Sequence, residues 1–360
     1  MKDVYLIDVL GIYCGMHYYD IAFAEILRKR NLNVKIYSNF VVEKSDNHFF
    51  PIFFQHNKVI GLLLFLISYI KFFVFVLKNR NVRMIYLAYG EIYELPFIIL
   101  MSLAKKGFID VHEVYALKYS DTSFVAKVFG FVYRYFVKVV ICHSENIKNI
   151  LSEKDVDFLY VPHFKYIFQK MYKEEYISSE VTSLFNSSKT KFLFFGNLSL
   201  VKGIDVVLDS FIRLMKKTND FELVIAGKNV DNINFSKYKN ISSSIIILDR
   251  HINDDELVYL YSKTDYILLP YKKTSQSGIF AMAAYFRKPM ILSNILYFRK
   301  MLEKYPSFGV ISTLEKYHEV IFRAIDFSKS VFYLEEDCSR FENVEENNKF
   351  INELLKYGNK

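Results

Sequence analysis

Two hydrophobic patterns alternate along the chain: short continuous apolar segments, and longer segments with apolar residues three and four positions apart. The first pattern is typical of buried strands and the second of helices that pack on one face. Predicted strands in the first half cover residues 4–10, 34–38, 82–88, 109–114, 139–142 and 158–161. Those in the second half cover residues 192–195, 222–226, 245–248, 266–269 and 290–292.

The helical pattern falls between these strands. Predicted helices cover residues 18–30, 59–77, 95–103, 123–137, 146–151, 204–215, 254–262 and 278–286, with Asp254 as the N-cap of the seventh. Regular alternation of strand and helix predicts an α/β fold with two doubly wound parallel sheets. The polar segment 178–191 is the predicted linker between a first domain, 1–177, and a second, 190–335.

Length and composition agree with two globular domains. The chain has 360 residues, enough for two hydrophobic cores, and its content of 52% hydrophobic and 24% charged residues is far from that of a disordered chain. Its three cysteines are too far apart to suggest a disulfide framework or a zinc site. Two acids among the first eight residues do not fit a signal peptide, so a cytoplasmic protein is expected.

The net charge of +8 is concentrated in residues 58–138, which hold eleven Lys or Arg and five Asp or Glu. This basic stretch contains an apolar run, 59–77, interrupted by Lys71. Three interpretations are open: a membrane span, which the internal charge disfavours; a core helix, which is preferred; and a helix at the inner membrane surface. Nucleic-acid binding is not expected, because no motif for it is present.

Two loops in the second half have the residue types that bind anions. Residues 196–203 follow a strand, begin and end in glycine and contain Lys202, whereas residues 274–278 supply hydroxyl groups at the start of a helix. Two anion sites at one sheet edge suit a diphosphate. The chain has no P-loop and no Gly-x-Gly-x-x-Gly fingerprint, which disfavours kinases, ATPases and dehydrogenases. Asp155 and Asp157 form an Asp-x-Asp sequence that is interpreted as a solvated turn, so no metal site is predicted.

The order of elements from 190 to 312, with Leu-Val-Ile-Ala-Gly at 223–227, Leu-Pro-Tyr at 269–271 and Ser-Gln-Ser-Gly at 275–278, resembles the donor domain of glycosyltransferase family 4. The resemblance implies the GT-B fold, in which two Rossmann-like domains face a cleft and a final helix, here within 336–360, crosses back to the first domain. It implies transfer of a sugar, with retention and without a metal or other cofactor, from a nucleotide-diphosphate sugar. The acceptor would be a glycan or a lipid-linked glycan of surface polysaccharide, lipopolysaccharide or capsule synthesis.

The predicted site follows from these loops and from the resemblance. His112 and Glu113 are the predicted catalytic residues, because they follow a strand next to Asp110, whereas His143 and His163 are interpreted as structural. The predicted donor-binding residues are Gly15, Gly196, Asn197, Lys202, Gly203, Gly227, Lys228, Arg250, His251, Ser275, Gln276, Ser277 and Gly278.

One departure from the family pattern keeps a second hypothesis open. Thr274 and Met282 stand where the family has a pair of glutamates, and Asn197 stands where an arginine is common. An inactive GT-B-like partner subunit is therefore the alternative to an active transferase. A nucleotide-sugar epimerase is disfavoured, because the basic and apolar first half suits a lipid-borne acceptor.

Overall fold

The structure is a computed structural model that describes residues 2–11, 17–41, 46–52, 57–112, 124–143, 145–153, 156–162, 164, 173–185, 187–239, 244–274, 276–326 and 331–357. The chain divides into two compact units. Unit 1 contains residues 1–166 and 343–360, and unit 2 contains residues 167–342. The return of the chain to unit 1 assigns the last helix to the first domain, as the fold class predicts.

Unit 1 is built on a parallel sheet that has seven strands within the described residues, in the order β3-β2-β1-β4-β5-β6-β7. These strands are β1 (Asp3–Ile7), β2 (Asn33–Ser38), β3 (Asn47–His48), β4 (Arg83–Ala88), β5 (Lys106–Val111), β6 (Val140–Cys142) and β7 (Phe158–Tyr160). Their near-continuous apolar sequences reflect burial on both faces of the sheet. The strand order reverses between β1 and β4, where Leu6 pairs with Ile85.

Helices cover both faces of this sheet. They are α1 (His17–Arg28), α2 (Lys58–Lys78), α3 (Leu95–Met101), α4 (Phe124–Phe136), α5 (Glu145–Glu153) and the returning helix α14 (Val344–Lys356). The guanidinium of Arg83 on β4 donates from Nε to the carbonyl of Leu354, at 3.1 Å, and so caps the end of α14. Phe350 of α14 packs against Phe23 of α1, which fixes the helix on unit 1.

Unit 2 repeats the plan with a parallel sheet of six strands in its described part, in the order β10-β9-β8-β11-β12-β13. The strands are β8 (Thr190–Phe195), β9 (Phe221–Gly227), β10 (Ile245–Asp249), β11 (Tyr266–Leu269), β12 (Met290–Ser293) and β13 (Gly309–Ser312). The reversal lies between β8 and β11, where Phe192 pairs with Tyr266. Ligands of doubly wound sheets bind at the carboxyl edge beside such a reversal.

The helices of unit 2 are mostly amphipathic. They are α6 (Ser179–Thr182), α7 (Ile204–Met215), α8 (Ser236–Lys239), α9 (Asp254–Lys263), α10 (Gly278–Tyr285), α11 (Leu296–Lys304), α12 (Tyr317–Asp326) and α13 (Glu335–Phe341). On α7, Val207 and Phe211 are buried in the core, whereas Asp209 and Arg213 pair on the outer face at 2.9 Å. A buried apolar face and a charged outer face are usual for a helix at the surface of a globular domain.

The fold class predicted from the sequence is confirmed, and three local predictions differ from the structure. Asn253 is the N-cap of α9, one residue before the predicted Asp254, because its side chain accepts from the amide of Glu256. The short strands β3 and β13 and the helices α11, α12 and α13 were not predicted. The predicted linker packs on unit 2, because the Ser178 hydroxyl donates to Glu256 at 2.6 Å.

Helix α2 differs from the preferred prediction of a core helix. Among the described residues it alone is long and apolar enough to cross a membrane, by length and composition, and only 17% of its most apolar window is buried. Ser68, Phe72 and Val76 face the core of unit 1. The opposite side is exposed, although it is apolar as well.

Candidate active site

Glycines shape the loop between β8 and α7 at the centre of the unit 2 sheet. Gly203 has φ +79°, and a Cβ there would lie 2.0 Å from the carbonyl oxygen of Pro270, which follows β11. Gly227, at the end of β9, has φ +143°, and its Cβ would lie 1.9 Å from the carbonyl oxygen of Gly196. Only glycine fits these left-handed positions at such distances. The backbone of three adjacent strand ends is thereby drawn together at one edge.

Lys202 lies on this loop just before α7. Its ammonium Nζ is 3.9 Å from the centre of the Tyr271 ring, a cation–π contact that holds the side chain over the end of β11. The amide of Lys272 donates to the carbonyl of Val201 at 2.9 Å, which fixes the loop to the same strand end. Lys202 is half-buried, and it lies just before the N-terminal end of α7.

The second predicted anion loop lies beside the first. Ser277 is the N-cap of α10, and its Oγ accepts from the amide of Phe280 at 3.2 Å. A Cβ on Gly196 would lie 3.3 Å from the side chain of Ile279, so the glycine loop contacts the first turn of α10. The structure therefore brings Gly196, Lys202, Gly203, Ser277 and Gly278 together where β8 and β11 end. Gln276 is half-buried next to them.

The remaining predicted donor residues lie farther along the same edge. Asn197 and Lys228 are exposed, and the amide of Leu198 donates to the carbonyl of Lys228 at 2.8 Å. His251 is exposed after β10. The guanidinium of Arg250 is held by Glu256, with NH1–Oε2 and NH2–Oε1 distances of 2.7 and 2.8 Å. This bidentate pair directs Arg250 to α9 and to the segment around Ser178.

The ion pair between Arg250 and Glu256 shifts the pKa of both side chains. Burial alone would raise the pKa of Glu256, but hydrogen bonds from Arg250, Ser178 and the Asn253 amide lower it to about 2. The hydrogen bond to Glu256 raises the pKa of Arg250. Arg250 therefore acts as a structural cation that holds residues 173–182 on α9, a role that its position after an apolar strand does not reveal.

In unit 1, a buried polar network lies at the corresponding carboxyl edge. Asp110 on β5 accepts from the Tyr19 hydroxyl at 2.7 Å, and its other oxygen lies 2.6 Å from His143 Nε2. His143 Nδ1 is 3.0 Å from the carbonyl oxygen of Val161, which can only accept, so Nδ1 carries a proton. His143 Nε2 also lies 3.0 Å from the Tyr19 hydroxyl oxygen, so Tyr19, Asp110 and His143 form one buried hydrogen-bonded cluster. His143 is hydrogen-bonded and buried, as the structural interpretation predicted.

His112 follows β5 and lies against this network. Its ring is 4.2 Å from the Tyr19 ring and edge-on to it, and its Nε2 is 3.4 Å from Asp110 Oδ1. Burial, and then the charge of His143, hold the pKa of His112 well below its usual range. His112 is therefore neutral at pH 7, with one ring nitrogen that donates a hydrogen bond and one that accepts.

Sequence reasoning missed two acids of unit 1. Asp8 follows β1 and Asp20 lies on α1, and both are fully buried. Burial raises the pKa of Asp8; burial together with the negative charge of Asp8 raises the pKa of Asp20 well above its usual range. An acid directly after a buried strand is the signal that marks Asp8, but it lay inside the predicted strand 4–10.

One group of described residues has the geometry of a metal site. Asp110, His112 and His143 place their ligand atoms within 4.8 Å of one another. The hydrogen bonds of His143 use both of its ring nitrogens, and Asp110 is shared by Tyr19 and His143. A cation bound there would have to displace the contacts of Asp110 with Tyr19 and His143. Asp157 is exposed and accepts from the Tyr357 hydroxyl at 3.1 Å.

Several predicted residues lie outside the described residues, and their roles stay predictions. They are Gly15, Glu113 and Ser275 of the predicted site, together with His163 and with Asp155 of the Asp-x-Asp sequence.

Comparison with known proteins supports the class that this geometry suggests. The family model described as "Glycosyl transferases group 1" matches residues 189–311, the segment that contains both loops of unit 2. The resemblance seen in the sequence of that segment is thereby confirmed. A comparison with curated protein sequences finds no match.

Solved structures match along the whole chain. HepE from Anabaena, in complex with UDP-glucose, is 13% identical with a TM-score of 0.70, covering 99% of this chain and 100% of that one. WaaG, a glycosyltransferase involved in lipopolysaccharide biosynthesis, is 12% identical with a TM-score of 0.66 and coverage of 99% and 100%. Sucrose-phosphate synthase from Thermosynechococcus elongatus is 13% identical with a TM-score of 0.62 and coverage of 99% and 96%. The chain has the GT-B fold of these glycosyltransferases.

Proposed function

We propose that this protein is a glycosyltransferase that takes a sugar from a nucleotide-diphosphate donor held by unit 2. The observation that carries the proposal is the meeting of two loops, 196–203 and 274–278, at the reversal between β8 and β11. Each loop leads into a helix N-terminus, and Lys202 lies on the first of them. The match of residues 189–311 to a glycosyltransferase family and the UDP-glucose bound to HepE support the same donor class.

The chemistry of transfer explains this arrangement. When the bond from the sugar to the diphosphate breaks, negative charge grows on the leaving phosphate oxygens. Backbone amides held in place by glycines and the ammonium of Lys202 stabilise that charge without rearranging. The acceptor hydroxyl oxygen would bond to the sugar carbon as the bond from that carbon to the diphosphate breaks, and the hydroxyl proton would pass to the departing nucleoside diphosphate.

The finer features of the reaction form the second part of the proposal. Transfer with retention and without a metal follows from the family resemblance, and the hydrogen bonds that join Asp110 to Tyr19 and His143 are consistent with a reaction that needs no cation. Neutral His112, which we propose contacts the transferred sugar, suits hydrogen bonding to a sugar hydroxyl. Activity that survives EDTA and a product of unchanged anomeric configuration, measured by NMR, are the expected results. Loss of activity in EDTA that is restored by magnesium or manganese would refute metal independence.

The acceptor is proposed by class only. A glycan or lipid-linked glycan of surface polysaccharide, lipopolysaccharide or capsule assembly in the cytoplasm fits the basic and apolar composition of residues 58–138. The structural likeness to WaaG, a glycosyltransferase involved in lipopolysaccharide biosynthesis, supports this class.

Titration calorimetry tests the donor site with UDP, GDP, ADP and CMP and their sugars. We expect one nucleotide family to bind, and Lys202→Ala to weaken its binding about tenfold, since one charge-assisted contact to phosphate is lost. Lys216→Ala, at the opposite end of α7, is the matched control and should bind normally. If no nucleotide binds, or if both variants bind like the wild type, the assignment of the donor site is wrong.

An inactive partner subunit is the second candidate, because Thr274 and Met282 replace the glutamate pair of the family. The two candidates differ in turnover. An active transferase releases nucleotide slowly from its donor sugar even when water is the acceptor, whereas an inactive subunit binds the donor and leaves it intact. Release of UDP or another nucleotide that is abolished by Lys202→Ala would favour the enzyme.

A further inference from the structure

Helix α2 exposes a broad apolar surface on unit 1. Val59, Leu62, Leu63, Leu66, Ile70 and Phe73 are between 40% and 79% exposed along its outer side. The inner side contributes Ser68, Phe72 and Val76 to the core. A helix on a water-soluble domain normally carries polar residues on its outer face, as α7 does with Asp209 and Arg213. The outer side of α2 therefore requires an apolar covering.

Helix α4 extends this surface. It contacts α3, which also contacts α2, so the three helices form one layer on the same side of the sheet. Phe124, Phe131 and Tyr135 of α4 are 79%, 57% and 64% exposed. We refer to the outward sides of Lys58–Lys78 and Phe124–Phe136 together as the α2–α4 surface.

The charges on this surface identify what covers it. Neither α2, α3 nor α4 contains an acidic residue, whereas Lys58 and Lys78 lie at the two ends of α2 and Lys127 and Arg134 on α4, all of them exposed. Apolar side chains bordered by cations complement a layer of acyl chains beneath anionic headgroups. A second copy of this chain on the same surface would bring like charges together around the contact, which disfavours a symmetric dimer.

The packing of α2 on unit 1 also determines its orientation relative to a bilayer. Phe72 packs against Phe97 and Tyr86 in the core of unit 1 with its ring tilted to both. Lys71 Nζ donates a hydrogen bond to the carbonyl of Phe49 at 2.7 Å. Crossing a bilayer would pull these contacts out of the core and place Lys71 in hydrocarbon. We propose that the α2–α4 surface docks unit 1 on an anionic phospholipid bilayer, with α2 in the plane of the interface.

The absence of tryptophan from the chain allows a direct test. Ile67→Trp introduces a single fluorophore at an exposed position of α2, and Leu296→Trp, on α11 of unit 2, is the matched control. With vesicles of phosphatidylglycerol and phosphatidylcholine at low salt, we expect the fluorescence emission of Ile67→Trp to shift to shorter wavelength and to be quenched by brominated acyl chains. The emission of Leu296→Trp should not change with these vesicles, and the emission of neither variant should change with vesicles of phosphatidylcholine alone.

Co-sedimentation of the full chain gives the second measurement. Leu63→Glu with Ile70→Glu should lower the fraction bound to anionic vesicles about tenfold, whereas Val230→Glu with Leu296→Glu, which adds the same charge to exposed apolar positions of unit 2, should not. Unchanged nucleotide binding and thermal unfolding would show that the first variant is folded. High salt should release the wild-type protein.

Three results would overturn the proposal. The wild-type protein could remain in the supernatant with anionic vesicles at low salt, or pellet in a form that resists both high salt and carbonate, as a spanning helix does. A concentration-dependent dimer that Leu63→Glu with Ile70→Glu disrupts, without vesicle binding by the wild type, would assign the surface to a second copy.

Discussion

The two sheets have the same strand order, but their carboxyl edges are built from different chemical groups. In unit 2, the edge is built from backbone: Gly196, Gly203 and Gly227 bring strand ends and helix N-termini together, and Lys202 adds one charge. In unit 1, the edge is built from side chains, with the carboxyl groups of Asp8, Asp20 and Asp110 and the imidazole of His143 buried there. One edge brings backbone segments and a single cation together, and the other buries a cluster of acidic and imidazole side chains.

This difference predicts how each edge responds to mutation. The unit 2 edge depends on shape, because its contacts require the absence of a Cβ at specific positions. The unit 1 edge depends on the charges and hydrogen bonds of buried side chains, those of Asp8 and Asp20 and those that join Asp110 to Tyr19 and His143. Substitutions that preserve volume but change charge should therefore affect unit 1 more, and added methyl groups should affect unit 2 more.

The largest effect is expected from Asp110→Asn, which keeps the volume and removes the charge. It replaces one of the two accepting oxygens with an amide NH2 donor and removes the charge beside His143, so either Tyr19 or His143 loses its acceptor; the free energy of unfolding should fall by about 3 kcal/mol. Asp157→Asn is the control, since that carboxylate is exposed and accepts only from Tyr357 among the described residues. Urea unfolding measures both variants. Equal losses would contradict the interpretation of unit 1.

A smaller effect, of about 2 kcal/mol, is expected from Gly203→Ala. The added Cβ would lie 2.0 Å from a backbone carbonyl, at φ +79°, so the loop has to move away from Pro270. Gly196→Ala is the graded comparison, because its Cβ meets only the flexible end of Ile279, at 3.3 Å. We expect it to cost about half as much in urea unfolding. A larger loss for Gly196→Ala would show that backbone strain, and not the approach to Pro270, decides the shape of the loop.

The smallest effect concerns the stability of the fold at acidic pH. Glu256 has a folded pKa of about 2, below the value of 4.5 that applies when the chain is unfolded, so it stabilises the fold above pH 4.5 and loses this contribution as the pH falls towards 2. Between pH 7 and pH 4 the loss is on the order of 1 kcal/mol of unfolding free energy. Glu256→Gln should lack this component, whereas the exposed Glu335→Gln should keep it. Identical pH profiles for Glu256→Gln and the wild type would show that Arg250 does not stabilise the charged form.

Most of the architecture could be predicted from the sequence, because the strands of a doubly wound sheet are buried on both faces and read as short apolar runs. The two anion loops were recognisable for a related reason: Gly196, Gly203 and Gly278 occur at strand and helix ends in a chain with only 12 glycines. The short strand β3 and the helices α11, α12 and α13 were missed, since two residues or a mixed apolar pattern give little periodicity.

The sequence by itself determined which elements form, their alternation and the loops that can approach a diphosphate, because these depend on local periodicity and on backbone conformations open to glycine. Only the tertiary structure decided the partners of the charged groups: Arg250 joined Glu256, and Asp110 joined Tyr19 and His143 over separations of 91 and 33 residues. It also decided that one side of α2 is buried and the other exposed, since both sides are apolar and only packing against the sheet distinguishes them.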